Sequence, residues 1–288
     1  MPIHLLPNPT FLPHLPEILG PFEEFGALRE ISADAVEAVC RHGFMPMGLT
    51  HGGEEFLLAK CHLQRCVVDP ASIHVPKNTR RYARGLHLAV DRAPSETLAA
   101  IDRHHPDSWL TPRLQDALVA LVGGVRSDAS TAGVRVHTIE LLDGTDGTPV
   151  AWEIGYAVGT IYTSLTGAHR RNGSGWVQMV ALATLLCDAG FTMWDLGMEI
   201  EYKIRLGCRL LERDAFLMEY RSAAESPPGA AGTPHVDSHG FATGVVTAGV
   251  LPAGICRRSA SDLVAAARER LRPGVRQDRP TSGFSREW

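Results

Sequence analysis

The feature that most constrains the fold is a change in hydrophobic pattern at Val134. From Val134 to Leu142 the chain is rich in β-formers, Asp143-Gly144 and Asp146-Gly147 mark a turn, and Val150 to Val158 and Thr160 to Thr166 continue as strands. An antiparallel meander is expected. A Gly/Arg loop, Arg170 to Gly175, then leads into a segment from about Trp176 to Ala189 that is apolar nearly all round. Such a segment predicts a buried helix, and Phe191 to Leu196 reads as one more strand. This β-β-β-α-β order, followed by a helical piece, fits an α/β (α+β) core. A Rossmann repeat would alternate strand and helix from the start.

Upstream, a Pro-rich lead gives way to Ser32, which is placed to cap a short helix carrying Val36, Val39 and Cys40 and ending at Gly43. Pro76 opens a second candidate helix, in which Lys77, Arg80, Arg81 and Arg84 fall at the i, i+3, i+4, i+7 spacing of one face. Pro94-Ser95 and Thr111-Pro112 open two more amphipathic helices. Beyond Arg221 the chain turns rich in Ala, Ser, Pro and Gly, with one amphipathic piece from Ser261 to Leu271. The expected organisation is an N-terminal mixed or helical domain over residues 1–70, a core domain over 71–220, and a flexible tail over 221–288 with one possible helix.

At 44% hydrophobic and 21% charged, 288 residues can bury a full core. A net charge of −4 and a pI near 6.3 leave any nucleic-acid contact to a local basic surface. The six cysteines show no CxxC pair and read as reduced thiols. Prolines interrupt the apolar N-terminus, and no run reaches membrane-spanning length. A cytoplasmic monomer is the expectation. His235-Val236-Asp237-Ser238-His239 offers an incomplete ligand set, and Cys61, Cys66, His51 and His62 are irregularly spaced, so no metal site is expected.

Several segments, taken together, resemble the leucyl/phenylalanyl-tRNA-protein transferases. Arg41-His42-Gly43-Phe44-Met45-Pro46-Met47 is similar to their Arg-Gly-Ile-Phe-Pro-Trp segment, and Arg65-Cys66-Val67-Val68 through Ile73-His74-Val75 to their Arg-Ala-Val-Leu…Leu-His-Ile. Ser108-Trp109-Leu110-Thr111 resembles Thr-Trp-Ile-Thr, Gly159-Thr160-Ile161-Tyr162 resembles Gly-Thr-Leu-Phe, and Arg205-Leu206-Gly207-Cys208 resembles Ser-Leu-Gly-Ala. Asp195 stands at the aspartate of Ile-Asp-Cys-Gln. Order and spacing hold from roughly Phe25 to Tyr220.

The resemblance implies a GNAT-like acyltransferase core and transfer of Leu, Phe or Met from aminoacyl-tRNA to the N-terminal Arg or Lys of a protein, which marks that protein for degradation. It assigns Asp195 as the catalytic carboxylate that orients the attacking amine; a loop-closing aspartate is the structural alternative. Trp109, Tyr162 and Met47 fall at aromatic substrate-binding positions, Trp109 beside the terminal adenosine. Leu165 and Gly197 replace the family's glutamate and glutamine, which marks a diverged branch. Lys77, Arg80, Arg81 and Arg84 are candidates for acceptor-stem phosphates, or else form a solvated face. Arg170, Gly173 and Gly175 resemble the pyrophosphate loop of GNAT enzymes. That supports an alternative reading as a coenzyme A-dependent N-acyltransferase. A relative that only binds tRNA or peptide is a third possibility. No resident cofactor is implied beyond aminoacyl-tRNA as co-substrate, with coenzyme A in that role only under the alternative.

Overall fold

The computed structural model describes residues 2–105, 108–124, 133–226, 251 and 253–271. Strand Ile3–Leu5 (β1) leads through a one-turn helix, Leu15–Ile18 (α1), to Phe25–Leu28 (β2), which it pairs in parallel. Ser32 then caps Ala33–Arg41 (α2) by accepting the Ala35 N–H at 3.1 Å, and Gly43 follows at φ +79°, as its position just past the helix predicts. Met45–His51 (β3) and Glu54–Lys60 (β4) form a hairpin that turns on Gly52 and Gly53. Both glycines have positive φ, +60° and +81°, which suits residues without a Cβ. These strands make a four-stranded sheet in the order β1-β2-β4-β3. The N-terminal region is mixed, and more of it is strand than the sequence suggests.

Gln64–Val68 (β5) enters a second sheet. There follow a single turn at Thr79–Tyr82 (α3), Leu86–Val90 (β6), Pro94–His104 (α4), Pro112–Ala120 (α5), and the meander Arg135–Asp143 (β7), Pro149–Val158 (β8) and Ile161–His169 (β9). Ser174–Asp188 (α6) crosses back to Met193–Asp195 (β10), and Glu201–Leu206 (α7), Arg209–Glu212 (β11) and Arg213–Ala224 (α8) complete the core. Gly254–Ser259 (β12) and Ala260–Arg270 (α9) close the described chain. The large sheet has the order β11-β5-β10-β9-β8-β7-β6-β12. Its centre is the expected meander, and β10 joins parallel to β9 after the buried α6, the arrangement anticipated for a GNAT-like core.

Three expectations need revision. The helix expected from Pro76 is one turn only, so its cations do not share a long helical face. Arg268 takes the carbonyls of Pro76 and Lys77 at 2.8 and 2.6 Å, and Gly85, at φ +69°, ends the turn. Secondly, β5 lies before the boundary expected at residue 70 yet is hydrogen-bonded into the large sheet by β10 and β11; the two sheets part between Lys60 and Gln64. One apolar cluster, from Leu12 and Phe44 to Ile154 and Tyr220, runs through both. Thirdly, the tail is not wholly an appendage. β12 pairs with β6, and α9 buries Leu263, Val264 and Ala267 in the same cluster as Val180 and Leu185 of α6. His235 to His239 lie outside the described residues.

Candidate active site at the parting of two parallel strands

β9 and β10 pair at Ile161–Met193, Tyr162–Trp194 and Thr163–Asp195. There β10 ends while β9 continues to His169, so the strands part and leave a wedge between Ser164–His169 and the loop after Asp195. The sequence dictates the parting. Gly197 has φ +75°, and buried Lys203 of α7 donates Nζ–H bonds to the carbonyls of Leu196 (2.5 Å) and Met198 (2.9 Å), while Leu196 and Gly197 stay bonded to Cys66 of β5, so the chain parts from β9. A Cβ built on Gly197 would meet nothing within 4 Å. The loop is roomy here, but glutamine, which the resemblance expects at this position, would be strained at that φ.

Asp195 is 0% exposed and saturated. Oδ1 accepts from Arg65 Nε at 3.0 Å and from the Gly197 N–H at 2.9 Å; Oδ2 accepts from Arg65 Nη2 and from Thr163 Oγ1 at 3.1 Å. Its four acceptor positions are taken. Arg65 gives its remaining face to His62 Nδ1 at 2.8 Å and lies over the Phe216 ring, 4.6 Å from the centroid. Burial opposes the charge on Arg65, but Asp195 outweighs it and holds the guanidinium above the usual arginine value. Burial first, and then Arg65, press His62 well below the ordinary histidine value, so it accepts as a neutral ring. The carboxylate expected to meet the amine thus faces Arg65 inside the protein and accepts the Gly197 N–H across the 195–197 turn.

Of the substrate-binding candidates, Tyr162 is fully buried and meets Phe191 edge-on at 6.2 Å. Leu165 is buried on the opposite, α8-side face with Ile161 and Tyr156. Met47 and Trp109 lie elsewhere, on and beside β3, where the Trp109 carbonyl takes the Gly48 N–H at 2.8 Å. Trp109 packs, partly buried, on the shared apolar cluster.

Lys77, Arg80, Arg81 and Arg84 are all exposed. Among the described residues none of them pairs with a carboxylate; Arg81 instead stacks on Tyr82, 5.1 Å from its ring centroid. The Tyr82 ring in turn lies where a Cβ on Gly173 would fall, 2.8 Å away, so α3 is packed on the start of α6. In the loop, Arg171 is bonded to Asp143 at 3.0 Å and Arg170 lies over Trp152, 5.9 Å from its centroid. Gly173, at φ +79°, precedes the first turn, and Gly175 passes close to His169. This loop follows β9 directly, and Tyr82, next to Arg81, is the α3 residue packed on it.

The sequence reading missed Glu153, Ser164 and Trp194. Glu153 sits on β8, 7% exposed, and its Oε1 accepts from Ser164 Oγ at 2.5 Å and from the Tyr162 hydroxyl at 3.4 Å. Trp194 Nε1 donates to Ser164 Oγ at 2.9 Å. Burial pushes the Glu153 carboxyl up to about 7, and the two hydrogen bonds pull it back only in part. The available signal was one glutamate inside the apolar run Val150 to Val158. Among the described residues no three His, Cys, Asp or Glu side chains converge as metal ligands. No helix among them is long and apolar enough to cross a membrane.

Residues 67–221, more than half of the chain, match the family model for leucyl/phenylalanyl-tRNA protein transferase. The chain belongs to that family. A leucyl/phenylalanyl-tRNA–protein transferase of Magnetococcus marinus is 23% identical over 204 residues, 69% of this chain and 82% of that protein. One from Xanthomonas campestris pv. campestris is 27% identical over 173 residues, 57% of this chain and 65% of that protein. Among solved structures, the C-terminal domain of a putative lysylphosphatidylglycerol synthetase from Agrobacterium fabrum overlays with a TM-score of 0.36 at 14% identity, over 72% of this chain and 75% of that one. Family membership makes the chain an aminoacyltransferase, and the low identities accord with a diverged member.

Proposed function

We propose that the protein moves Leu, Phe or Met from aminoacyl-tRNA to the N-terminal amine of a protein beginning with Arg or Lys, as a cytoplasmic monomer in an N-degron pathway. The observation that carries the reading is the set of four exposed cations, Lys77, Arg80, Arg81 and Arg84, without a carboxylate partner among the described residues, in and around the turn whose Tyr82 packs on the start of α6. Phosphates of an acceptor stem would neutralise them with release of counterions. The 3′ end then enters the wedge with its ester. Tyr162 and Leu165 back β9 from its opposite faces, while Trp109 and Met47, beside and on β3, lie away from the wedge.

In the reaction the amine nitrogen attacks the ester carbonyl. An α-amino group has a pKa of about 7.7–8.0, so part of it is already neutral near pH 7, and orientation contributes more than strong basicity. Asp195 fixes the turn at Gly197 and so the mouth of the wedge. The Arg170–Gly175 loop keeps a coenzyme A-dependent reaction as the alternative, although Arg171 is tied to Asp143.

The test is transfer of radiolabelled leucyl, phenylalanyl and methionyl groups from tRNA to peptides with N-terminal Arg or Lys, run beside labelled acetyl-coenzyme A. Label from tRNA on the peptide is the expected result. Label from acetyl-coenzyme A alone would replace the reading with its alternative.

A further inference from the structure

Four carboxylates among the described residues are buried: Glu37, Glu140, Glu153 and Asp195. Three have a cation of their own, Glu37 with Arg41, Glu140 with Arg92 and Asp195 with Arg65. Glu153 has none. Among the described residues its second oxygen, Oε2, has no hydrogen-bond partner, while Oε1 is held by Ser164 and Tyr162 and, through Ser164, by Trp194. A buried carboxylate without a cation is costly, because its charge loses hydration and regains little. Such a group suits a cation that arrives with a ligand.

Its surroundings favour that ligand reaching it. Glu153 pairs with Gly167, in the part of β9 that outruns β10, and so lies one strand from the wedge, reaching β10 through Ser164 and Trp194. Two residues on, along the same face, Gly155 leaves room for the Tyr162 ring, whose hydroxyl lies 2.5 Å from where a Cβ would fall, so Tyr162 is held beside Glu153. Tyr202, 42% exposed on α7, has its hydroxyl pushed up to about 12, first by burial and then by the charge of Glu153, so a partly solvated side chain lies within electrostatic reach. Tyr162, Trp194 and Tyr202 supply aromatic neighbours of the kind that stabilise an ammonium.

We propose that Glu153 is a catalytic residue of this chain, receiving the α-ammonium of the acceptor on Oε2 and taking its proton. The inference rests on the transferase reading above. One N–H bond of the ammonium breaks and its proton passes to Oε2; the freed lone pair forms the C–N bond with the ester carbonyl. The bond from that carbon to the ribose oxygen then breaks, and the ribose oxygen leaves as a hydroxyl with the second proton of the nitrogen. Glu153 returns its proton to water. A carboxyl pushed to about 7 by burial is matched to an amine of pKa about 7.7–8.0.

The experiment is calorimetric titration of the full chain with a peptide bearing a free N-terminal Arg and with its N-acetylated twin, from pH 6 to 9, on wild type and Glu153→Gln. The free amine should bind at least tenfold more tightly than the acetylated peptide. Its affinity should peak between about pH 7 and 8, where Glu153 is ionised and the amine still protonated. Glu153→Gln should lose that tenfold preference and leave acetyl-peptide binding unchanged. Among the described residues the ionisable groups around Glu153 are Tyr162 and Tyr202, both raised out of this range, and His137 of β7, which pairs with Gly155 of β8 and is bonded to Asp91 at 2.8 Å. Wild-type affinity for the free amine in Glu153→Gln, or wild-type transfer rates in that variant, overturns the proposal. If Glu153→Gln does not fold, the wild-type profile decides: an amine preference that does not fall below pH 7 overturns it. Amine binding through Glu153 without transfer from any aminoacyl-tRNA supports the amine site and refutes the transferase reading.

Discussion

Arg65 and Asp195, 130 residues apart in sequence, meet side by side with two hydrogen bonds across adjacent antiparallel strands, fully enclosed by Phe216, Tyr156 and Tyr220. A bidentate pair of this kind fixes geometry more than it adds stability, yet removing one member leaves an unpaired charge in the core.

Asp195→Asn should therefore act mainly on the fold. Arg65 would keep its charge and lose its counterion, at a cost of about 3–5 kcal/mol. Denaturant melts would read this directly. A variant as stable as wild type but slower in single-turnover transfer would return Asp195 to direct contact with the amine.

Glu153→Gln should change the pH dependence of stability. Its folded-state pKa of about 7 lies above the unfolded glutamate value of about 4.3, so the native state holds a proton that the unfolded chain releases in between. The stability this group contributes is complete below about pH 4 and is lost as pH rises through 7, a loss on the order of 3 kcal/mol. Wild type and variant should melt alike at pH 4.5, and the variant should be the more stable at pH 8. Equal differences at both pH values would mean that Glu153 titrates normally.

Replacing Lys77, Arg80, Arg81 and Arg84 together with Ala should weaken tRNA binding and flatten its salt dependence. Each phosphate that is no longer neutralised takes about 0.9 off the slope of log K against log salt on duplex RNA, by analogy with B-form DNA. An unchanged slope would make the cations an ordinary solvated surface.

Leu263→Ala should destabilise the core. Leu263 is fully buried, and its carbonyl accepts from Thr184 Oγ1 of α6 at 2.9 Å. The cavity should cost about 2–5 kcal/mol, measured by chemical denaturation. A loose appendage would show no change.

What can be read from the sequence is what local pattern carries. Val134 to Thr166 declares its strands through β-branched residues and Gly turns, and Ser32 and Thr111-Pro112 declare helix starts. The N-terminal sheet escapes such a reading because Met45–His51 and Glu54–Lys60 alternate poorly and take their form from each other. Asp195 stands out by family motif, but the partner that occupies it, Arg65, belongs to a strand that only the tertiary fold brings alongside. Glu153 is hidden in an apolar run because nothing local distinguishes an exposed from a buried glutamate. The stripe of cations reads correctly as a cluster and wrongly as a helix, since the i, i+3, i+4, i+7 spacing also occurs where a turn and a loop follow one another.

β10 is three residues long and fastened through one carboxylate to both neighbours, to Arg65 of β5 and Thr163 of β9. Slipping the strand by one residue would swing that carboxylate to the other face of the sheet, so the fork where β9 and β10 separate is pinned from behind. The lining of the fork is thereby released from any duty to hold it open. Leu165, packed on the α8-side face and outside that fastening, can vary without moving the fork.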